Sequence, residues 1–367
     1  MIILHALEPF ATGTTTAVMA ITKELSDFTH IVIHGARNQT GSTDKIKNDF
    51  PDEVKFIEWK YAGRELNPVK DWKAFCSLYG ILKSFKKQFR KSNDPFVVHL
   101  HSSKAGFIGR FVCLVLGIKA VVYTPHCGAF LRTDISPFKR NLYRVLEWLG
   151  GLFGGRVVGC GPSEGELYKK LGRNTTFVSN GVAYKDIEIS EKDRKLISFT
   201  GIASLQKDPA TWSAIASACA KTAAEKGFTF CWIGNGPEAG ELKRDFIDFT
   251  GWISPNEVEK LHERTAVFLS ASAWEGLPYG VLEAMSSGCA LLLRNIPGHR
   301  DLVIPGENGW LFNTYEEAVK LLTEMVKNRA CLAEMGRKNI EIVREKFSLK
   351  QMGEGYRKIY TSIGVKK

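Results

Sequence analysis

The feature that most constrains this chain is a unit that recurs along it: a short apolar run, a loop of small and polar residues, then a stretch of helical periodicity. Such runs fall at 2–4, 30–34, 54–59, 96–101, 120–124 and 157–160, and again at 195–200, 228–233, 266–271 and 289–293. Strands without alternation are buried on both faces, and strands that alternate with helices form parallel sheets. The loop clusters HLHSSKAG and YTPHCGAF then lie at strand carboxyl ends, where open parallel sheets bind their ligands. At 367 residues the chain exceeds one ordinary core and suits two α/β domains.

The stretch with most chemistry is WEGLPYGVLEAM at 274–285, in which Glu275 and Glu283 stand eight positions apart. Pro278 suits the first turn of a helix, Val281, Leu282 and Met285 give it a buried stripe, and Gly288 ends it. The free N–H groups of that turn, beside glycines that admit a ligand to the main chain, make a site for phosphate oxygens. Two carboxylates beside an anion site repel the anion and suit hydroxyl groups, so the implied ligand is a nucleotide sugar. Glu283 sits in an almost wholly apolar run, where an unpaired carboxylate is costly.

This Glu-x7-Glu wording resembles the signature of retaining glycosyltransferases of family GT4, the bacterial cell-surface polysaccharide type. The resemblance implies an α/β GT-B fold, with two Rossmann-like doubly wound domains facing a cleft and a C-terminal helix crossing back to the N-domain. It divides the chain at 1–185 for an acceptor-side domain, 186–345 for a nucleotide-sugar donor domain and 346–367 for the returning helix. It further implies that Glu275 contacts hydroxyls of the donor sugar and Glu283 holds the ribose. The loop residues Gly276, Leu277, Pro278, Tyr279, Gly280 and Val281 lie against the donor. "TPHC" matches the family's "TPHG" with Cys127 in place of a small residue, and on that pattern His126 lies near the transferred sugar. Lone histidines are more often structural, and His99 and His101 are assigned to packing or loop bracing.

Further donor-side candidates come from the same strand-loop-helix logic. Lys207, six residues after Gly201, would reach the diphosphate as a cation. Relatives often carry Arg directly after that Gly. Here it is Ile202, and Arg294 is the candidate substitute. Gly234 and Asn235 follow a strand, and Trp252 and Ile253 are the base-site candidates. Gly13 and Thr14, in the loop after the first strand, and Ser102 and Ser103, in the "HxHSS" wording, are assigned to the acceptor side. Ser163 and Glu166 have the spacing of a capping box. No D-x-D motif occurs, so neither a cofactor nor a divalent metal is expected, in agreement with the family.

Charge adds the partner. Residues 1–185 hold 26 Lys+Arg against 15 Asp+Glu, while the remainder is balanced, so the whole excess of +11 lies in the first half. A basic surface faces something acidic, and with no nucleic-acid motif the candidate is an anionic membrane carrying a lipid-linked or glycolipid acceptor. The segment 137–149, PFKRNLYRVLEWL, is amphipathic with a basic face. It reads by default as a core-packing helix and otherwise as a membrane contact. No signal peptide or spanning segment is read, and the eight Cys lack a C-x-x-C pair, so a cytoplasmic, peripheral enzyme is expected. The function this reading gives is a metal-independent hexosyltransferase using a UDP-sugar for lipopolysaccharide or capsule. A nucleotide-sugar 2-epimerase and a non-catalytic nucleotide-binding descendant are the alternatives.

Overall fold

Each half of the chain builds its own parallel sheet. The structure, a computed structural model, describes residues 1–8, 10, 12–35, 46–63, 67–172, 175–185, 187–189 and 193–364. In the first half these elements follow one another: β1 (Ile2–Leu7), α1 (Thr12–Glu24), β2 (Thr29–His34), β3 (Lys55–Glu58), α2 (Pro68–Ser92), β4 (Phe96–His101), α3 (Ser103–Leu116), β5 (Val121–Thr124), α4 (Pro137–Leu152), β6 (Arg156–Gly159), α5 (Pro162–Lys169) and β7 (Thr175–Phe177). The strand order is β3-β2-β1-β4-β5-β6-β7, every pair parallel. Buried strand residues such as Leu4, Val98 and Tyr123 pack on Leu78 of α2 and Val112 of α3, as continuous apolar runs require.

The second half continues with β8 (Leu196–Thr200), α6 (Pro209–Glu225), β9 (Thr229–Ile233), β10 (Ile247–Phe249), α7 (Pro255–Glu263), β11 (Thr265–Ser270), α8 (Tyr279–Ser286), β12 (Ala290–Arg294), α9 (Pro297–Arg300), β13 (Gly309–Phe312), α10 (Tyr315–Met325) and α11 (Arg329–Lys346). Its order is β10-β9-β8-β11-β12-β13, again parallel. Each sheet starts at its centre, runs outward on one side and returns to the other. The switch points lie between β1 and β4 and between β8 and β11. The last helix, α12 (Leu349–Gly364), packs on α1 and β4. It belongs to the first compact unit, with Met1–Leu131 and Ile135–Asn180, and the second unit comprises Gly181–Ser348 and the short piece Arg132–Asp134.

Two local expectations change. Ser163 cannot cap α5, because Pro162 begins the helix with Gly161 as its cap. Instead the buried Glu164 carboxylate accepts from the backbone N–H of Cys160 at 2.8 Å and Cys127 at 2.7 Å. The default reading of α4 is also overturned, since Phe138, Leu142 and Val145 face outward, Phe138 being 81% exposed. The inward side of α4 carries Glu147, which accepts from Tyr123 Oη at 2.8 Å and pairs with the buried Arg110 at 3.2 Å. Gly150 admits Arg110, whose Nη2 would lie 2.4 Å from an added Cβ. A buried ion pair strands its charges if the helix rotates, and this pair therefore fixes which face of α4 is wet.

The outward face of α4 is not isolated. α3 packs between α2 and α4. Trp72 stacks on Phe75, Phe75 meets Phe111 at 5.3 Å and Phe111 meets Phe153 at 5.1 Å, an aromatic path across the three helices. Trp72 on this path is exposed, as are Leu114 of α3 and Leu142 of α4.

Candidate active site

In the second unit the loops after β8, β9, β11 and β12 all leave the carboxyl ends of their strands. The loop after β8 presents Gln206 and Lys207, and the loop after β11 presents Glu275, so three polar side chains converge at the β8–β11 switch point. Lys207 Nζ donates to Glu275 Oε1 at 2.5 Å. Gln206 Nε2 donates to Glu275 Oε2 at 3.2 Å and to the carbonyl of Trp274 at 2.9 Å, and the Gln206 carbonyl accepts from Ala273 N at 2.8 Å. Glu275 is buried and Lys207 is one-fifth exposed, so the carboxylate is held from two sides by groups of the neighbouring loop. Gln206 was not singled out in the sequence. Its only sequence signal is adjacency to Lys207, and its role arises from the pairing of two loops.

The cation assigned at Arg294 is already engaged. At the end of β12 its Nη2 pairs with Asp208 Oδ2 at 2.8 Å. Asp208, in a left-handed conformation at φ 49°, caps α6 by accepting from Thr211 N at 3.1 Å. Arg294 thus ties the end of β12 to the loop that carries Lys207. His299 was also missed by sequence reading. It is fully buried on α9, and its Nδ1–H donates to the carbonyl of Arg294 at 2.8 Å. Burial pushes it down to about 4, against the opposing attraction of Glu275. Gly298 lets α9 press on the signature loop, for a Cβ there would meet the Gly276 carbonyl at 2.0 Å.

The helix expected after the signature loop is α8, capped by Pro278, with Gly288 ending the turn at φ 73°. Its first turn holds Tyr279, Gly280 and Val281, whose N–H groups no carbonyl of the helix can reach. Gly280 seats this turn on the end of β8, 3.0 Å from the Thr200 carbonyl to an added Cβ. Leu277, Val281 and Leu282 are buried and anchor it. Glu283 follows, half-buried, and among the described residues nothing pairs with its carboxylate. Burial pushes it up to about 7.

Two donor-side expectations change in their cause. Gly234, at φ 127°, is required because a Cβ would meet the Gly201 carbonyl at 2.3 Å. The backbone it admits is therefore protein. Asn235 follows, its carbonyl accepting from Ala203 N at 3.1 Å. Ile253 packs on Leu196, Cys231 and Ile233, whereas Trp252 beside it is 61% exposed, so burial does not account for the Trp.

In the first unit the clusters after β4 and β5 come together. Ser102 adopts φ 77°, His126 φ 51° and Cys127 φ 75°. Side chains crowd the backbone at such positive φ, which explains why a glycine suits position 127. Ser102 Oγ donates to the buried Glu8, which also accepts from Ala105 N at 3.2 Å, and Ser103 Oγ accepts from Ala129 N at 3.1 Å. His126 Nε2 lies 3.0 Å from His101 Nδ1. Gly13 and Thr14 are in the first turn of α1 and not in a loop, because the helix already starts at Thr12.

Two parallel doubly wound sheets of this order, with the last helix returned to the first, define the GT-B fold. Solved structures agree: Anabaena Alr3699/HepE in complex with UDP and glucose superposes with a TM-score of 0.78 at 15% identity, covering 99% of this chain and 100% of that one. The apo form of the lipopolysaccharide outer core galactosyltransferase WaaB gives 0.68 at 15%, covering 99% of both. Residues 188–342, all in the second unit, match the family described as "Glycosyl transferases group 1". Among sequence relatives, the Escherichia coli UDP-Gal:alpha-D-GlcNAc-diphosphoundecaprenol alpha-1,3-galactosyltransferase is 28% identical over 274 residues, 68% of each chain. An uncharacterized 41.2 kDa protein in the cps region of Klebsiella pneumoniae is 25% identical over 305 residues, 74% of this chain and 80% of that one.

Proposed function

We propose that this glycosyltransferase is a retaining, metal-independent hexosyltransferase that moves a sugar from a UDP donor to a lipid-linked sugar diphosphate in cell-surface polysaccharide assembly. The observation that carries the reading is the meeting of Lys207, Gln206 and Glu275 at the switch point, with α8 leading from that loop to the unpaired Glu283. The name of the E. coli relative supports the donor and acceptor classes.

In this reading the donor diphosphate lies at the first turn of α8, where N–H groups and the helix dipole favour negative charge. Lys207 exchanges part of its pairing with Glu275 for the diphosphate, and Glu275 then accepts hydrogen bonds from sugar hydroxyls. Glu283 accepts from the ribose diol, and Trp252 offers an exposed aromatic face to the base. Charge building on the leaving phosphate is met by Lys207 and those N–H groups. The departing oxygen takes the acceptor hydroxyl proton on the same face, giving retention without a metal. The apolar face of α2, α3 and α4, on a strongly basic half, supports peripheral attachment to the anionic cytoplasmic leaflet, where such an acceptor resides.

The test is transfer from UDP-galactose, UDP-glucose and their N-acetyl forms to a synthetic N-acetylglucosaminyl diphospho-lipid, with and without EDTA. Product mass and anomeric configuration are the readouts. An α-linked product formed equally in EDTA supports the proposal. An inverted product, or an absolute requirement for a divalent ion, refutes its mechanism, and a 2-epimer formed without acceptor would refute the activity itself.

A further inference from the structure

The eight histidines of the chain differ in how the fold satisfies them. In the first unit His30, His5, His101 and His126 form a hydrogen-bonded file with links of 3.1, 3.1 and 3.0 Å, and its inner end is the carbonyl of Leu25, 2.9 Å from His30 Nε2. A carbonyl can only accept, so His30 donates from Nε2 and every bond of the file runs the same way. His99 meets Tyr360 Oη at 2.6 Å and Thr124 Oγ1 at 2.9 Å, His34 meets the carbonyl of Gly35 at 3.0 Å, and His262 meets Thr200 Oγ1 at 2.7 Å. His299, in the second unit, is held from one side only. Its Nδ1–H is spent on the Arg294 carbonyl at 2.8 Å, and its Nε2 is, among the described residues, the one buried histidine nitrogen without a partner.

A neutral imidazole has a single N–H, so fixing it on Nδ1 leaves Nε2 a bare acceptor. The ring is fully buried, and an unpaired acceptor there is costly. It also has a charged neighbour. α9 presses on the backbone that carries Glu275, for a Cβ on Gly298 would lie 2.0 Å from the Gly276 carbonyl and 3.2 Å from that of Glu275. A ring acceptor and a buried carboxylate thus share one region, and both favour a cation. Lys207 supplies one to the carboxylate at 2.5 Å.

The charges acting on the ring are few. Burial, Lys207 and Arg294 disfavour its protonation, while Glu275 favours it. Arg294 is tied to Asp208 at 2.8 Å, and Arg300, beside His299 on α9, donates to Asn295 Oδ1 at 2.6 Å. Lys207 is therefore the charge whose departure changes the balance. Once it leaves, the main opponent of protonation is gone and the attraction of Glu275 is no longer offset.

We propose that His299 is the reserve cation of Glu275: when a nucleoside diphosphate draws Lys207 off the carboxylate, His299 Nε2 takes up one proton from solvent and replaces the missing positive charge. The proton returns to solvent when the nucleotide leaves and Lys207 pairs again. His299 is then a positioning residue that acts through Glu275, and nucleotide binding is coupled to proton uptake. The proposal rests on the reading of Lys207 as the cation that meets the diphosphate.

The first arm needs no nucleotide. Long-range ¹H–¹⁵N NMR of the full chain labelled with ¹⁵N-histidine separates a pyridine-type nitrogen from a protonated one, and His299 is assigned by its loss in His299→Asn, which keeps a donor for the Arg294 carbonyl. His299→Gln serves if the Asn variant does not fold. In the unaltered protein Nε2 should be pyridine-type at neutral pH, with a midpoint near 4. Lys207→Met keeps the aliphatic stem and removes the charge, and should raise that midpoint by about one to three pH units. Adding Glu275→Gln should take the rise away again. An unchanged midpoint in folded Lys207→Met overturns the proposal, as does a rise that survives Glu275→Gln.

The second arm adds UDP to the unaltered protein, and it carries the test by itself if Lys207→Met does not fold. Saturating UDP should raise the His299 midpoint in the same direction. Calorimetry near pH 6 in two buffers of different ionisation enthalpy should then show more proton uptake on UDP binding in the unaltered protein than in His299→Asn. Equal uptake in both proteins, or a pyridine-type Nε2 throughout the titration of the UDP complex, overturns the proposal. Failure of UDP to bind refutes the nucleotide reading, whereas UDP binding without a proton on His299 refutes the reserve cation alone.

Discussion

Glu283→Gln should make the protein more stable and its nucleotide binding weaker, and the two effects can be separated by pH. Burial raises this carboxyl from 4.5 to about 7 in the folded protein, and in the unfolded chain it returns to the ordinary carboxylate range. The folded state thus binds the proton more tightly than the unfolded state. Below about pH 4 the group is neutral in both states and Gln mimics it. As pH rises through the window between the two values, stability is lost, and above about 7 the loss is complete. At 1.36 kcal/mol per pH unit the full difference is about 3 kcal/mol. Chemical unfolding of both proteins at pH 4.5 and pH 8 gives the comparison, since all other titrating groups are shared. Glu283→Gln is expected to come close to the parent at pH 4.5 and to exceed it by up to about 3 kcal/mol at pH 8. Binding runs the other way: a charge-assisted hydrogen bond contributes roughly 1.5–3 kcal/mol, so calorimetry with UDP should show about ten- to a hundredfold weaker affinity. The parent should bind UDP more tightly at pH 8 than at pH 6. Equal stabilities at pH 8 would refute the burial argument, and unchanged UDP affinity in folded Glu283→Gln would refute the ribose assignment.

Three further outcomes follow from other parts of the molecule. Lys207→Ala leaves Glu275 buried with only Gln206 beside it, which should cost about 2–3 kcal/mol in denaturant unfolding and abolish transfer, whereas Lys207→Arg should keep most of the stability. Trp252 is mostly exposed, so Trp252→Ala should leave stability within the small range typical of surface substitutions, while stacking on the base predicts about 1–3 kcal/mol weaker UDP binding. Unchanged UDP affinity removes Trp252 from the site. Replacing the exposed Phe138, Leu142 and Val145 by Ser should leave unfolding nearly unchanged and abolish flotation with anionic liposomes, and undiminished flotation would sink the membrane face.

The sequence was most legible where local chemistry decides the outcome. Apolar runs of strand length followed by polar loops and periodic segments admit little besides parallel sheets, because such runs must be buried on both faces. The stretch from Trp274 to Met285 could likewise be read directly. Pro278 and Gly288 bound a helix that starts and stops by backbone rules, and an acidic residue between Leu282 and Ala284 is conspicuous in an apolar run. α4 was misread for a reason of the opposite kind. Periodicity identifies its two faces, but the partners Arg110 and Tyr123, which hold Glu147 inward, come from other elements.

By itself, then, the sequence determined the sheet type, the position of the loop that leads into α8 and the two carboxylates, Glu275 and Glu283, on either side of its turn. Only the tertiary structure decided how those charges are used: that Lys207 pairs with Glu275 through two loops 68 residues apart, that Arg294 is tied to Asp208, and that Glu283 has no partner among the described residues. The histidine file is the extreme case. His5, His30, His101 and His126 are scattered over four segments, and nothing local links them. Parallel pairing brings β2, β1, β4 and β5 side by side and sets their imidazoles within hydrogen-bond reach. Helix ends and turns obey rules written within a few residues, while the direction of a hydrogen bond depends on what lies at the far end of its chain, here the carbonyl of Leu25.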